Sequence, residues 1–337
     1  MKNGICVAGN LIVDITYPIE RWPRQSELTT ITGEKSFSMG GAVCNVIADL
    51  AKMDPELPLE ALGIIGEDPE GEFILSELGK MKNIGTSLLK KQGTTSYTAV
   101  MSDNETKFRT FFQFRGANAG FSEESFNWED IHADLLHIGY ILLLDELDKE
   151  DPEYGTKMAR LLAHAKERGI KTSIDVVTES GNRFSKLVPP ALKYTDYCVI
   201  NELETQEITG IALRDEKDRL LASHMRPALE KMLELGVGCW AVIHCPEGAW
   251  GLTKDGTYAE LASLTLPAGY IQGTVGAGDA FCSGVLLGAY EERSIEESIR
   301  LGICAAAASL SRQDASSGMD RKEEILKLDS LYRRNQG

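Results

Sequence analysis

The residues best suited to chemistry lie late in the chain. Gly273-Thr274-Val275-Gly276-Ala277-Gly278-Asp279 runs straight into an apolar stretch, residues 280–288. That stretch is apolar on nearly every face, so it reads as a buried helix. The seven residues before it form a small-residue turn leading into the helix N-terminus. Several N–H groups there lack intrahelical partners, and the dipole end is positive. Glycine and alanine let an anion approach the backbone closely. The turn is thus an anion hole suited to a phosphoryl group in transfer. Asp279 sits at its lip. A carboxylate in that place serves as a helix cap or as a base that deprotonates a hydroxyl attacking phosphorus; beside an anion hole the second use gains weight. No G-x-x-x-x-G-K-[ST] stretch is present, which excludes a P-loop enzyme.

A second glycine pair, Gly40-Gly41, opens a helix with apolar residues at 43, 46, 47, 50 and 51. Asn45, Asp49 and Lys52 fall off that stripe. The glycines admit a ligand to the backbone, and Asn45 offers both a donor and an acceptor to a polyol. A tight turn followed by a solvated Asn fits the same residues.

Positioning these groups requires a scaffold, and the apolar pattern supplies one. Residues 5–8, 61–65, 135–139, 172–176, 197–200 and 240–244 are short, continuous apolar runs, as expected for strands covered on both faces. Helical candidates lie between and after them at 42–53, 70–82, 155–168, 217–235, 279–291, 295–311 and 321–334. The alternation predicts an α/β fold with a mostly parallel central sheet flanked by helices. Segments 12–37 and 96–114 break the pattern. The second reads as a hairpin turning at residues 102–105, and together they predict a small β-strand lid on a single domain spanning 1–337.

Composition bounds the partners. The 337 residues are 43% hydrophobic and 26% charged, as in ordinary globular proteins, and only 7% aromatic. A net charge of −16 repels polyanions, which argues against nucleic acid and acidic membranes. Seven scattered cysteines with no C-x-x-C pair read as reduced, buried thiols, and the five histidines show no metal-ligand spacing. With no apolar run of 18 residues, the expected location is the cytoplasm.

The ordered set Gly40-Gly41-Ala42 with Asn45, then Gly276-Ala277-Gly278-Asp279, resembles the two signatures of the ribokinase-like (PfkB) carbohydrate kinases. Gly63-Ile64-Ile65-Gly66-Glu67-Asp68-Pro69-Glu70-Gly71 looks like that family's G-x-x-G-x-D-x-x-G element. Arg115-Gly116-Ala117-Asn118 looks like its Gly-Ala-Asn segment, and Asn201-Glu202-Leu203-Glu204 like its N-x-x-E motif. The resemblance implies an ATP- and Mg²⁺-dependent kinase acting on a sugar-like small molecule, with Asp279 as base and the N–H groups of Gly276, Ala277 and Gly278 as the anion hole. It implies that Asp14, Gly40, Gly41, Asn45 and Asn118 hold the substrate. Asn201 and Glu204 would serve MgATP, Glu204 through metal-bound water. Thr274 would lie in the nucleotide site. Gly248, in the loop after strand 240–244, and Ala305, in a small-residue helix, would border the adenine. A homodimer through the lid is left open.

Departures from the family pattern are Gly273, where Asp is usual and where many relatives bind potassium, Ile243 for Thr or Lys, and Cys245 for Gly. Two other readings stand beside the sugar kinase. One is a nucleoside kinase, with Phe37, Phe112 and Phe114 as a base slot; the other is a non-catalytic sensor on the same fold. Arg24, Arg109 and Arg115, on an acidic chain, raise the idea of an anionic substrate.

Overall fold

The computed structural model describes residues 3–106, 108–178 and 183–335. Successive side chains of a strand face opposite ways, and here both ways are apolar. In β1 (Ile5–Gly9), Ile5 and Val7 enter one core cluster while Cys6 and Ala8 enter another. The remaining elements follow in chain order. First come β2 (Ile12–Ile19), β3 (Ser36–Gly40), α1 (Gly41–Met53), β4 (Leu59–Ile65), α2 (Pro69–Leu78), β5 (Ile84–Gly85), β6 (Leu89–Lys91), β7 (Ser96–Asp103), β8 (Arg109–Phe114) and β9 (Leu135–Ile141). Then come the hairpin β10 (Glu150–Asp151) and β11 (Gly155–Thr156), α3 (Lys157–Glu167), β12 (Lys171–Val176), α4 (Phe184–Leu192), β13 (Tyr197–Asn201), α5 (Glu202–Thr209) and α6 (Met225–Leu235). The chain finishes with β14 (Trp240–Cys245), β15 (Gly248–Thr253), β16 (Tyr258–Ala262), α7 (Ala277–Tyr290), α8 (Ile295–Leu310), α9 (Lys322–Ile325) and α10 (Lys327–Leu331).

The main sheet has the order β16-β15-β14-β13-β12-β9-β1-β4-β5, with β6 also paired to β4. It is parallel from β5 through β14, and β15 and β16 add an antiparallel edge. One core cluster packs this sheet against α1, α7 and α8, the other against α3, α4 and α6. Segments 12–37 and 96–114 do meet, as expected. With the strand leading into α1 they form a separate four-stranded sheet, β3-β2-β7-β8. Asp68, from the glycine-rich element, ties this sheet to the main one. It caps α2 through Gly71 N (2.9 Å) and accepts from Thr95 N (2.7 Å), just before β7.

Several boundaries differ from the sequence reading. The helix expected over 217–235 begins at Met225. Asp215 holds the preceding residues in a turn through Lys217 N and Arg219 N, and Pro227 fits only a first helical turn. The helix expected to reach 82 stops at Leu78, before Gly79, and the one expected over 321–334 is two short helices. Gly248 is not in a loop. It starts β15, where a Cβ would lie 2.6 Å from Leu261 O, so the close strand pairing requires glycine. Helix α4 carries Pro189 and Pro190 in its last turn, which hid it from the pattern. Asp49, read as off the apolar stripe, has no exposure, and Asn45 has 5%; α1 is covered nearly all round because α7 packs on it.

Candidate active site

Parallel strands all point their C-terminal ends the same way, and ligands of such sheets collect there. At that edge β9 delivers Tyr140, β12 Asp175, β13 Asn201 and β14 His244. Helix α7 starts at the same edge. Its N-cap, Gly276, has φ +79°, and a Cβ there would lie 2.4 Å from that of Ala315, so backbone and packing both demand glycine. The helix axis is fixed from behind by close contact with α8, where a Cβ on Gly284 would lie 2.7 Å from Gly302 Cα.

The three N–H groups expected to form an anion hole are not alike. Ala277 N makes a long turn contact, 3.5 Å, to Thr274 O, and the first full helical bond is Ala280 N to Gly276 O at 2.8 Å. The N–H groups of Gly276, Gly278 and Asp279 have no acceptor among the described residues. Asp279 therefore adds an open N–H of its own beside those of Gly276 and Gly278.

The Asp279 carboxylate is 7% exposed, and each oxygen has one donor. Tyr140 O–H donates to Oδ1 at 2.8 Å and Asn45 Nδ2 to Oδ2 at 2.9 Å. Burial raises its pKa above the ordinary carboxylate range, and the two donors pull it partly back. A carboxylate has about four lone-pair positions, so room remains for a substrate hydroxyl. Asn45 thus orients the Asp279 carboxylate, and its Oδ1 has no donor among the described residues. Gly41 adopts φ +83°, and a Cβ on Gly40 would fall 2.4 Å from Asp14 Oδ2, so this glycine pair makes space for the aspartate. Asp14 is pushed up to about 6, first by burial and also by the Asp279 charge, against the lowering effects of Thr98 and Arg109. It lines a cavity of about 580 Å³ between β2, β3, β8, α1, α2 and residues 313–317.

Asn201 and Glu204 form a reciprocal capping box. Asn201 Oδ1 accepts from Glu204 N (2.8 Å), and Asn201 N donates to Glu204 Oε2 (3.1 Å). Thr178 O–H donates to Glu204 Oε1 at 2.8 Å. Burial lifts Glu204 to about 7 and Asp175 well above its ordinary range, with the Glu204 and Asp279 charges adding to the rise at Asp175. No lysine or arginine pairs with Asp175, Glu204 or Asp279 among the described residues. His244 lies against the α7 entry, its Cε1 3.5 Å from a Cβ built on Gly278 and its ring 4.7 Å from that of Phe281. Burial lowers it to about 4, so the ring is neutral at physiological pH.

The structure thus gathers Asp14, Gly40, Gly41, Asn45, Glu204 and residues 276–279 around one edge. Asn118 does not present its side chain: both amide ends clasp the Leu11 backbone, Nδ2 to O at 3.0 Å and Oδ1 to N at 3.3 Å, just before Asp14. Ala305 is fully buried in the core, and Thr274 is exposed. Sequence reasoning missed Tyr140, Asp175 and His244. A carboxylate inside the apolar run 172–176 was a visible signal for Asp175; Tyr140 and His244 carried none beyond their place near strand ends.

Known structures share this architecture of sheet, helices and second sheet. The ribokinase of Arabidopsis thaliana, solved with ribose and ATP, superposes with a TM-score of 0.79 at 21% identity, over 97% of this chain and 99% of that one. The fold is therefore that of the ribokinase-like kinases. Among curated relatives, a ribokinase of Lactococcus lactis is 26% identical over 329 residues, 95% of each chain. An ATP-dependent ribose-1-phosphate kinase of Halopiger xanaduensis is 24% identical over 315 residues, 92% of this chain and 93% of the relative. Residues 2–322 match the pfkB family of carbohydrate kinases, and the chain belongs to that family.

Proposed function

We propose that the chain transfers the γ-phosphoryl group of ATP to a hydroxyl of a sugar or sugar derivative. The observation that carries this reading is Asp279, buried in the first turn of α7 beside three open N–H groups. Asp279 takes the hydroxyl proton as that oxygen attacks the γ-phosphorus. The bond from the γ-phosphorus to the β–γ bridging oxygen breaks, and ADP leaves with that electron pair. The N–H groups of Gly276, Gly278 and Asp279 meet the charge on the transferring oxygens. Asp14, Gly40 and Gly41 hold the sugar, and Asn118 positions the strand that carries Asp14.

Asp175, Glu204 and Asp279 have no basic partner, and no group of three acidic or histidine side chains among the described residues could hold a metal ion directly, so Mg²⁺ would be met through water and the donor phosphates. Both Glu204 oxygens already have protein donors, which suits contact through water, as Mg²⁺ prefers. When bound, Mg²⁺ neutralises charge on the donor phosphates. The β3-β2-β7-β8 sheet serves as the lid of a single kinase domain. Exposed Trp22, Phe108 and Phe112 on this sheet and its loops support a homodimer through it. Of the three phenylalanines suggested for a nucleoside base, Phe37 lines the cavity, where Phe73 and Phe111 join it, so a nucleoside base stays the second reading.

Asp279→Asn keeps the shape and removes the base. The expected result is a kcat lower by roughly 10² to 10⁴ with ATP affinity near normal. Near-wild-type kcat in the purified variant on the best sugar found overturns the mechanism.

A further inference from the structure

Two histidines lie on strands of the main sheet, and they are built differently. His137, in β9, has no exposure; its Nδ1 pairs with Ser173 Oγ at 3.1 Å and its Nε2 is sealed in the core. His244, near the C-terminal end of β14, is partly exposed. Neither of its ring nitrogens has a hydrogen-bond partner among the described residues, and neither is sealed from solvent. Phe281 braces the ring, with centroids 4.7 Å apart. The ring edge faces the first turn of α7, Cε1 at 3.5 Å and Nε2 at 3.9 Å from a Cβ built on Gly278, whose N–H is open. Burial keeps the ring neutral, so it carries one N–H donor.

The sheet order shows which part of the reaction this donor faces. The first turn of α7 is touched from two sides. Tyr140 from β9 and Asn45 from α1 meet Asp279, and His244 from β14 meets Gly278. Strand β14 is separated from β9 by β13 and β12, a span of roughly 14 Å at the usual strand spacing. In phosphoryl transfer the attacking and leaving oxygens lie roughly in line on opposite sides of phosphorus. With the hydroxyl at Asp279, the leaving side points toward β14. The other described side chains at that edge offer little to a phosphate. Ile243 has no exposure, Asp175 and Glu204 are acids, and Asn201 has both amide ends engaged, Nδ2 to Thr178 Oγ1 at 3.2 Å and Oδ1 to Glu204 N.

We propose that His244 is a further catalytic residue, whose Nε2–H donates to an oxygen of the β-phosphate of ATP on the leaving side of the transfer. As the bond to the γ-phosphorus breaks, ADP keeps the electron pair and negative charge grows on that phosphate. A donor already braced by Phe281 meets this charge without rearrangement. The proton stays on the ring throughout, so the step needs no further acid. Nε2 is assigned because it is the ring nitrogen within 4 Å of the Gly278 position.

This inference rests on the kinase reading, and the experiment separates them. Calorimetric titration in the presence of Mg²⁺ measures AMP, ADP and the β,γ-imido analogue of ATP on wild type, His244→Ala, His244→Leu and His244→Gln. Loss of a hydrogen bond to a charged phosphate weakens ADP and the analogue about tenfold in His244→Ala, while AMP, which lacks that phosphate, stays within about twofold. His244→Leu keeps the packing on Phe281 and shows the same selective loss. His244→Gln, whose amide N–H reaches about as far as Nε2–H, regains part of it. With the best sugar found, kcat falls about tenfold in His244→Leu and the KM for the sugar moves less than about threefold. Equal weakening of AMP, ADP and the analogue makes His244 a packing residue and overturns the proposal. Unchanged ADP and analogue binding in both His244→Ala and His244→Leu overturns it too. Selective loss of ADP in a chain that phosphorylates no sugar overturns the kinase reading and leaves the His244 contact standing.

Discussion

Tyr140→Phe removes one hydroxyl and little else, and it tests how the base is tuned. The Tyr140 hydroxyl donates to Asp279 Oδ1 at 2.8 Å in a buried setting. A hydrogen bond to a charged group contributes about 1.5–3 kcal/mol, and one pKa unit corresponds to about 1.4 kcal/mol. Loss of the donor therefore raises the Asp279 pKa further, by about one to two units. The base works only when ionised, so the acid limb of the kcat/KM–pH profile moves up by the same amount. Above the new pKa the carboxylate is again ionised and intrinsically more basic, so the high-pH plateau recovers to within about threefold of wild type. The assay is a coupled ADP-release measurement from pH 5 to 9.5 on both proteins. A uniform drop at every pH, with the limb in place, refutes the tuning argument and leaves Tyr140 a packing residue; an unchanged profile shows that Asp279 is not the titrating base.

The remaining predictions concern metals and stability. Glu204→Gln raises the Mg²⁺ concentration needed for half-maximal rate; an unchanged Mg²⁺ dependence reduces Glu204 to its helix-capping role. Replacing a bulky inert cation by potassium at fixed ionic strength changes kcat/KM less than about threefold, or about 0.6 kcal/mol. The reason is that a Cβ on Gly273 would meet Arg312 O at 2.8 Å, so no carboxylate fits, and the Ser311 hydroxyl is engaged with Ala308 O; saturable activation of tenfold or more contradicts this. Asp49 has both carboxylate oxygens buried without a partner, and burial holds its pKa well above the ordinary range. The folded state therefore keeps a proton that the unfolded state has lost, and stability falls as pH rises from about 4 through the raised pKa, each unit costing about 1.4 kcal/mol. Asp49→Asn should flatten that fall and be more stable than wild type at pH 8 by chemical denaturation, and lower stability at pH 8 would contradict the assignment.

Local patterns determined a good deal. Apolar runs of only four or five residues, set between helix-period stretches, read as strands covered on both faces, so the parallel sheet was readable, and six of its strands fell where expected. The turn at 273–279 had to be built of small residues because a Cβ on Gly276 would run into Ala315 and one on Gly273 into Arg312 O. Other features were decided only in three dimensions. Asp49 is hydrophilic and one helical turn from Asn45, yet α7, more than two hundred residues away in sequence, packs on it and takes its solvent. Tyr140 is one polar aromatic at a strand end. Its role exists only because β9 and α7 bring its hydroxyl within 2.8 Å of Asp279. Asn118 carried a motif position but became a clasp on Leu11 once the chain closed. Periodicity reports which face of an element is apolar, since that depends on neighbours a few residues away. Which polar groups are buried, and which donors they meet, depends on contacts between distant elements, and those exist only in the folded chain.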